Sequence, residues 1–316
     1  MIAMRSIGAG DTNRKSGQPG ALCVSLRALA LVVLAGCRGA AGDAAAPSEP
    51  LRGGVREVEI AGYAGIAMEP FVSRDGRFLL FNDSNAPGTN TDIHYARRGA
   101  DDFHWNHAGR VEGANSDALD GTPTMDRQGR LFFVSVRSYA QTACTIHAAR
   151  FDDGRASEAQ LVDLICRHEP GIVNFDVDID ASGTVLTFVD SRFDRKGQPQ
   201  TAELVMARRE GSRFVRLAES ARLLAAVNGP GLQYAPALSA DHRTLWFTRV
   251  ASVSGGHAPQ IWRAHRATEA QPFEAPVRFE GLGDFVEGPA LSADERLLYY
   301  HRRVGSGFRV FAVPLD

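Results

Sequence analysis

Short apolar runs alternate with polar turns along most of this chain, and the alternation repeats at a regular interval. Five runs rich in aromatic and aliphatic residues each follow a polar turn; they are residues 78–81, 131–134, 185–188, 245–247 and 297–300. Such runs, bounded by turn residues, are typical of buried β-strands. From Gly76 to Gly129, Gly183, His242 and Glu295, the turns are 53, 54, 59 and 53 residues apart. The pattern predicts five copies of one β-unit of about 54 residues.

Each unit contains further predicted strands. A third strand is marked in four units by an aliphatic residue with Ala three positions later, as in Ile93 and Ala96. A more polar fourth strand follows in these four units. The fifth unit lacks one before Asp316, and the segment from Val55 to Ile60 is predicted to supply it. A first strand that completes the last unit closes a ring and leaves no free edges.

The fold class that follows is all-β: a single five-bladed β-propeller of four-stranded blades, covering residues 55–316. The first unit, Pro70-Phe71-Val72-Ser73-Arg74-Asp75-Gly76-Arg77 with a later Asp92-Ile93-His94-Tyr95-Ala96, resembles the WD40-like repeats of TolB-type propellers. The third unit has Val177 in place of the Pro, and the fourth and fifth have His242 and Glu295 in place of the turn Gly. Because the TolB propeller itself has six blades, six remains an alternative count.

The N-terminal region has the features of an export signal. Residues 1–36 carry a local charge of +3, and the apolar run 28–34 precedes Ala35-Gly36-Cys37. A basic start, a short apolar core and small residues describe a secretory signal peptide, and the run is too short for a permanent membrane helix. Leu34-Ala35-Gly36-Cys37 resembles a bacterial lipobox, which implies cleavage before Cys37 and acylation of that cysteine.

Residues 37–54 are predicted to be a lipidated Cys followed by a flexible tether, because small residues and Pro dominate the segment. Arg38 stands where Asp would signal retention in the inner membrane, which favours the outer membrane. The expected location is therefore the periplasmic side of the cell envelope, with a lipid anchor in the membrane.

Composition and motifs exclude several functions. The net charge is -2 for the whole chain and -5 without residues 1–36, so nucleic acid is not an expected partner. The sequence has no G-x-S-x-G elbow, P-loop or H-E-x-x-H motif, and no Cys/His cluster at zinc spacing. We expect no catalysis, no cofactor and no metal centre. The predicted role is a binding module for an envelope protein, peptide or glycan, or alternatively a purely structural part of an envelope assembly.

Polar residues just before the repeat Pro are the candidate ligand-binding site, because the innermost strands of a propeller line its central channel. The candidates are Glu69, Asp120, Asp176, Tyr234 and Glu287, with Asn174 and Gln233 beside them. Converging carboxylates suit a sugar, a basic peptide or a divalent cation at the channel mouth. The alternative interpretation is that these polar groups are only solvated.

A catalytic alternative rests on Glu287-Gly288-Pro289, which resembles the general-acid motif of arabinanase-type five-bladed glycosidases. That resemblance implies a glycoside hydrolase in which Glu287 is the acid and Glu69 or Asp176 acts opposite it. The motif order around the ring does not match that family.

Two cysteines remain in the predicted propeller. Cys144 lies at a third strand and Cys166 ends the following segment, with Asp153-Gly154 about midway between them. A hairpin at that turn would place the cysteines opposite each other, and the periplasm permits disulfides. A bridge and two buried thiols are both open alternatives.

Fatty-acid labelling tests the predicted anchor. Cells that express the chain should incorporate radioactive fatty acid into it, and Cys37→Ala should abolish incorporation because the acceptor thiol is gone. Gel autoradiography after immunoprecipitation measures the label, with Cys23→Ala as the matched control that keeps it. An unlabelled wild-type chain would contradict the prediction.

Overall fold

The computed structural model describes residues 48–49, 54–86, 89–195, 197–250 and 258–315. The predicted signal peptide and Cys37 lie outside the described residues. Strands dominate the described part, so the all-β prediction is confirmed. No helix in these described ranges is long and apolar enough to cross a membrane.

The strands are numbered β1 to β22 in chain order. They are β1 (Ser48–Glu49), β2 (Arg56–Glu57), β3 (Glu59–Ala61), β4 (Met68–Val72), β5 (Phe78–Asn82), β6 (Ile93–Arg98), β7 (His104–Arg110), β8 (Asp120–Met125), β9 (Arg130–Ser135), β10 (Ile146–Asp152), β11 (Arg155–Leu161), β12 (Ile172–Ile179), β13 (Val185–Phe193), β14 (Pro199–Glu210), β15 (Arg213–Arg216), β16 (Leu232–Leu238), β17 (Thr244–Val250), β18 (Gln260–His265), β19 (Val277–Phe279), β20 (Val286–Leu291), β21 (Leu297–Val304) and β22 (Gly307–Pro314). Two one-turn helices, α1 (Tyr139–Thr142) and α2 (Ser220–Leu223), and a 3₁₀ turn at Asp163–Ile165 lie between strands.

The strands pair into antiparallel four-stranded units, which we call blades 1 to 5. Blades 1 to 4 are β4–β7, β8–β11, β12–β15 and β16–β19, and blade 5 combines β20–β22 with β2. The innermost strands β4, β8, β12, β16 and β20 each contact the next, and β20 contacts β4. The described blades therefore form a closed ring around a central channel.

The N-terminal segment closes this ring, but not as the single strand 55–60 that the sequence predicts. Arg56 and Glu57 pair antiparallel with β22, and the Val58 amide donates to the Val310 carbonyl over 2.9 Å. The chain then crosses to blade 1, where β3 pairs in parallel with β7. The buried Val58 side chain enters the apolar cluster between blades 5 and 1, which divides the segment into two strands.

A second parallel pairing lies at the rim of blade 4. There β1, within the segment predicted as a tether, pairs with β19. Backbone pairing thus extends beyond residues 55–316.

The core consists of apolar clusters between neighbouring blades. Along β5, Phe78 and Leu80 belong to the cluster shared with blade 2, while Leu79 and Phe81 belong to the cluster shared with blade 5. Both faces of such a strand are buried, so its sequence reads as a continuous apolar run rather than an alternating one. This arrangement explains the five runs.

The repeated turns keep their shape where glycine is replaced. His242 and Glu295 have φ of 58° and 59°, close to the 70° of Gly76. Left-handed backbone at a non-glycine residue is uncommon, and the turn is supported by side-chain hydrogen bonds. In blade 4, for example, Ser239 Oγ donates to Asp241 Oδ1 over 2.6 Å.

Cys144 and Cys166 form a disulfide, with Cα atoms 5.5 Å apart and a sequence separation of 22. Cys144 precedes β10 and Cys166 follows β11 by way of the 3₁₀ turn. The bridge ties the open end of this hairpin.

Removing this disulfide should lower the free energy of unfolding. The paired substitution Cys144→Ser with Cys166→Ser releases a loop of 22 residues, and loop-closure entropy gives a loss of about 3 kcal/mol. Urea unfolding followed by tryptophan fluorescence measures it. Wild-type protein in reductant should unfold like the variant, whereas equal midpoints for oxidised wild type and variant would contradict the prediction.

Candidate functional site

A β-bulge on every innermost strand shapes the channel. The pairing register shifts at the same place in each blade, and the residue there has positive φ: Glu69 (48°), Thr122 (48°), Asp176 (50°), Ala235 (48°) and Gly288 (64°). A bulge redirects the side chains next to it. These five residues line the channel together with the repeat prolines.

Glu69, Asp176 and Glu287 come from blades 1, 3 and 5, and we call them the acidic cluster. Their exposed fractions are only 7%, 3% and 1%. They are close enough for each to affect the ionisation of another. Carboxyl groups from separate parts of the chain thus meet away from bulk water.

Burial strongly perturbs the ionisation of Glu69. Burial raises its pKa to about 8, and the charges of Asp176 and Glu287 act in the same direction. The imidazole of His301 and a hydrogen bond from Asn85 Nδ2 to Glu69 Oε1, 2.9 Å long, oppose that shift. Glu69 is therefore mostly protonated at neutral pH.

Asp176 is held by the backbone of the next blade. The Ala235 amide donates to Asp176 Oδ2 over 3.0 Å. Burial nevertheless raises the pKa of Asp176 to about 7, helped by Glu287 and opposed by that amide. The group titrates near neutrality.

Glu287 accepts hydrogen bonds from two buried side chains. Tyr234 Oη donates to Glu287 Oε1 over 2.5 Å, and burial keeps the pKa of Tyr234 well above its usual value. His301 Nε2 lies 3.3 Å from Glu287 Oε2, while His301 Nδ1 accepts from the Glu69 amide over 3.1 Å. The ring proton is thus on Nε2 and faces Glu287.

The channel beside the acidic cluster is narrow, with a cavity volume of about 40 Å³. Its other end is occupied by an ion pair, because Arg74 Nη2 lies 3.4 Å from Asp178 Oδ1 and donates to the Ile179 carbonyl over 2.8 Å. Burial raises the pKa of Asp178 to about 6, against the effect of Arg74. The cavity accommodates a few water molecules or one small head group.

Four of the predicted site residues lie together at the acidic cluster: Glu69, Asp176, Tyr234 and Glu287. Asp120 does not join them, because its carboxylate accepts from Arg137 Nη2 over 2.8 Å and from Ser116 Oγ over 2.7 Å. Blade 2 places Thr122 at the channel instead.

The side-chain amides of Asn174 and Gln233 also make their hydrogen bonds away from the acidic cluster. Asn174 Nδ2 donates to Asp190 Oδ1 over 2.7 Å, and Gln233 Nε2 donates to the Pro230 carbonyl over 3.1 Å. In the described part of the chain, no three His, Cys, Asp or Glu side chains are arranged to hold a metal ion. The divalent cation considered from sequence therefore gains no support from the geometry.

Sequence reasoning missed His301 and Asn85. His301 directly follows the apolar run of blade 5, so the sequence pattern assigns it to the core strand and not to the site. In the structure it pairs directly opposite Glu287 in the β20–β21 register. That register would have shown the contact. Asn85 lies in the irregular segment after β5, where no periodicity fixes its direction.

No family model and no curated protein matches this chain. Among solved structures, it is similar to a glycoside hydrolase with a TM-score of 0.54 and 10% identity, over 85% of this chain and 92% of that one. A putative TolB from Agrobacterium tumefaciens gives a TM-score of 0.45 and 14% identity, over 80% and 78% of the two chains. A gluconolactonase from Xanthomonas campestris gives 0.49 and 15%, over 89% and 90%. At these identities the similarity shows the fold alone, a β-propeller.

The acidic cluster should make stability fall as pH rises. Unfolded Glu69 and Asp176 ionise near pH 4, whereas the folded groups keep their protons until their pKa values of about 8 and 7. The stability present below the unfolded pKa is therefore lost from about pH 4 up to about pH 7 for Asp176 and up to about pH 8 for Glu69, by about 1.4 kcal/mol per pH unit for each group.

Urea unfolding at pH 5, 6, 7 and 8 measures this slope. Glu69→Gln should flatten it, because the amide imitates the protonated acid and keeps the hydrogen bond from Asn85. Glu112→Gln is the matched control, since the side chain of Glu112 is 72% exposed. A slope that Glu69→Gln leaves unchanged would show that Glu69 is ionised in the folded protein.

Proposed function

We propose that this protein is a cell-envelope lipoprotein whose TolB-like propeller is a binding module, and that the acidic cluster receives a cationic group of the ligand. The observation that carries the proposal is the meeting of Glu69, Asp176 and Glu287 from three blades, with Glu69 and Asp176 lining the channel and Glu287 buried beside them. A small group with several hydrogen-bond donors, such as an ammonium, complements converging carboxyl oxygens.

The size of the channel favours recognition of a head group over enclosure of a whole ligand. A cavity of about 40 Å³ has no room for a sugar ring, but it has room for the amine at the tip of a side chain or amino sugar. The rest of the ligand then remains outside the ring, on the loops at that face. Propeller faces are rigid platforms for such contacts.

The protonation of the acidic cluster supports a cationic ligand. Without a ligand, Glu69 holds a proton because burial disfavours its charge. A bound cation supplies the missing counter-charge, so Glu69 and Asp176 ionise and release protons. Binding should therefore tighten as pH rises through the pKa values of about 7 and 8.

The proposed location rests on the sequence and on the disulfide. The basic, apolar and lipobox-like segment before Cys37 directs export and anchoring. The Cys144–Cys166 bridge suits an oxidising compartment such as the periplasm. The proposed partners are an envelope protein, a peptide or a glycan that presents an amino group near the outer membrane.

Calorimetric titration with matched probes tests the proposed ligand chemistry. The full chain is titrated with a lysine-containing hexapeptide, its Nε-acetylated form, a chitosan oligomer and the fully acetylated oligomer. At least one amine probe should bind about tenfold tighter than its acetylated partner, since charge-assisted hydrogen bonds are lost on acetylation. For the lysine peptide, whose ammonium stays charged over this range, the affinity should rise from pH 6 to pH 9, with proton release visible as a dependence on the buffer.

The matched variants are Glu69→Gln with Asp176→Asn, which should remove the preference for the amine, and Glu112→Gln, which should keep it. Equal affinity for amine and acetylated probes, or no binding of any probe, would contradict the proposed function.

Glycoside hydrolysis is the second candidate, because the acidic cluster unites the three carboxyl groups that the glycosidase resemblance names. In this candidate the acid is Glu69, because burial raises its pKa to about 8. Glu287, which accepts hydrogen bonds from Tyr234 and His301, acts opposite it. A sugar would require the channel mouth to open beyond the cavity described above.

Reducing-sugar release from arabinan, arabinoxylan and chitin measures this activity directly. The binding proposal expects no release above that of a Glu69→Gln, Glu287→Gln variant. Release that both single substitutions abolish, with Glu112→Gln active, would establish the hydrolase instead.

A further inference from the structure

A second cavity lies between blades 1 and 2, at the end of the innermost strands opposite the acidic cluster. It is lined by the turn after β4, the turn after β8 and the β10–β11 hairpin turn, and we call it the turn groove. Its volume is about 390 Å³, which falls in the range of small-ligand sites. Neither the proposed binding of a cationic group nor the hydrolase alternative places a contact in the turn groove.

The turn groove has an apolar wall formed by Phe78, Met125 and Phe151. Phe78 and Phe151 pack edge to face, with ring centroids 5.3 Å apart. An apolar wall in a half-open groove favours a ligand with an apolar body, because water gains little from contact with it.

Among the described residues, Arg74 is shared by the linings of the turn groove and the channel. Its side chain is only 8% exposed, and its Nε is buried without a hydrogen-bond partner in the described part of the chain. A buried donor without an acceptor is costly, and native structures contain few of them. A ligand oxygen would satisfy this donor.

The other charges of the turn groove are mostly paired with each other. Salt bridges join Asp75 to Arg77, Asp126 to Arg130 and Asp153 to Arg97. Within the described ranges, Arg127 and Asp152 make no salt bridge, although both line the groove. One cationic and one anionic side chain therefore remain for a ligand.

We propose that the turn groove binds a small zwitterion with an apolar body, of the size of a free dipeptide. The ligand carboxylate accepts from Arg74 Nε and from the guanidinium of Arg127. The ligand ammonium is balanced by Asp152, and the apolar side chains contact Phe78, Met125 and Phe151. A dianion such as phosphate fits less well, because the carboxylates of Asp75 and Asp126 line the same groove.

Calorimetric titration of the full chain with four probes tests the proposal: the dipeptide Leu-Phe, its N-acetyl form, its C-terminal amide and hexanoate. Leu-Phe should bind, and the N-acetyl and amide forms should each bind about tenfold more weakly because one charge-assisted contact is lost. Hexanoate distinguishes a general carboxylate site from a zwitterion site, and it should also bind about tenfold more weakly than Leu-Phe.

Exposed residues provide variants that retain the fold. Arg127→Gln should weaken Leu-Phe about tenfold and leave the C-terminal amide unaffected, whereas Asp152→Asn should weaken Leu-Phe but leave the N-acetyl form unaffected. Arg74 is buried and pairs with Asp178, so the charge-conserving Arg74→Lys is used there and its urea midpoint is compared with that of the wild type. Arg74→Lys removes Nε and should weaken both carboxylate-bearing peptides. Arg213→Gln, on the exposed edge of blade 3, is the charge-matched control and should change nothing.

Several results would overturn the proposal: no binding of Leu-Phe at millimolar concentration, equal binding of all four probes, or equal losses in Arg127→Gln and Arg213→Gln. The result is independent of the proposed function. The acidic-cluster variant Glu69→Gln with Asp176→Asn should bind Leu-Phe like the wild type, so loss of amine recognition and loss of dipeptide binding are separate outcomes.

Discussion

Ring closure is the constraint on which the rest of this structure depends. Residues 56–58 pair with β22, and the next residues pair with β7, so one short segment joins the last blade to the first. The acidic cluster lies across the junction of blades 5 and 1. Glu69 belongs to blade 1, and its amide donates a hydrogen bond to the ring of His301, which belongs to blade 5 and is 232 positions away in sequence. An open ring would separate these groups.

The bulges that form the channel require unusual backbone. Left-handed conformation at Glu69, Thr122, Asp176 and Ala235 costs on the order of 1–3 kcal/mol each. The fifth position is glycine for an additional reason. A Cβ on Gly288 would lie 2.7 Å from Glu69 Oε2 and 2.8 Å from His301 Nδ1, too close for either. The glycine thus creates the space in which the carboxyl group of blade 1 meets the imidazole of blade 5.

The sequence predicted the fold well because propeller strands are buried on both faces and recur at nearly constant spacing. The sequence does not predict the division of the closing strand at Val58. The six residues 55–60 have the pattern of a single strand, and the pattern does not show that the two halves pair with different blades. The structure brings Glu69, Asp176, Tyr234 and Glu287 together, and their shared repeat positions are the sequence signal for that meeting. Asp120 lies apart from them because it pairs with Arg137, and the sequence does not show that contact. His301 was missed because it follows aromatic residues that belong to the core.

Arg74 connects the two ends of the ring. Its side chain lines both the channel and the turn groove, and the charge of its guanidinium lowers the pKa of Asp178. Whatever binds one side and redirects this guanidinium changes the free energy of the other side, and thermodynamic linkage makes the effect equal in both directions. In a rigid ring, a ligand bound at one of these sites can in this way change the affinity of the other site without any blade changing position.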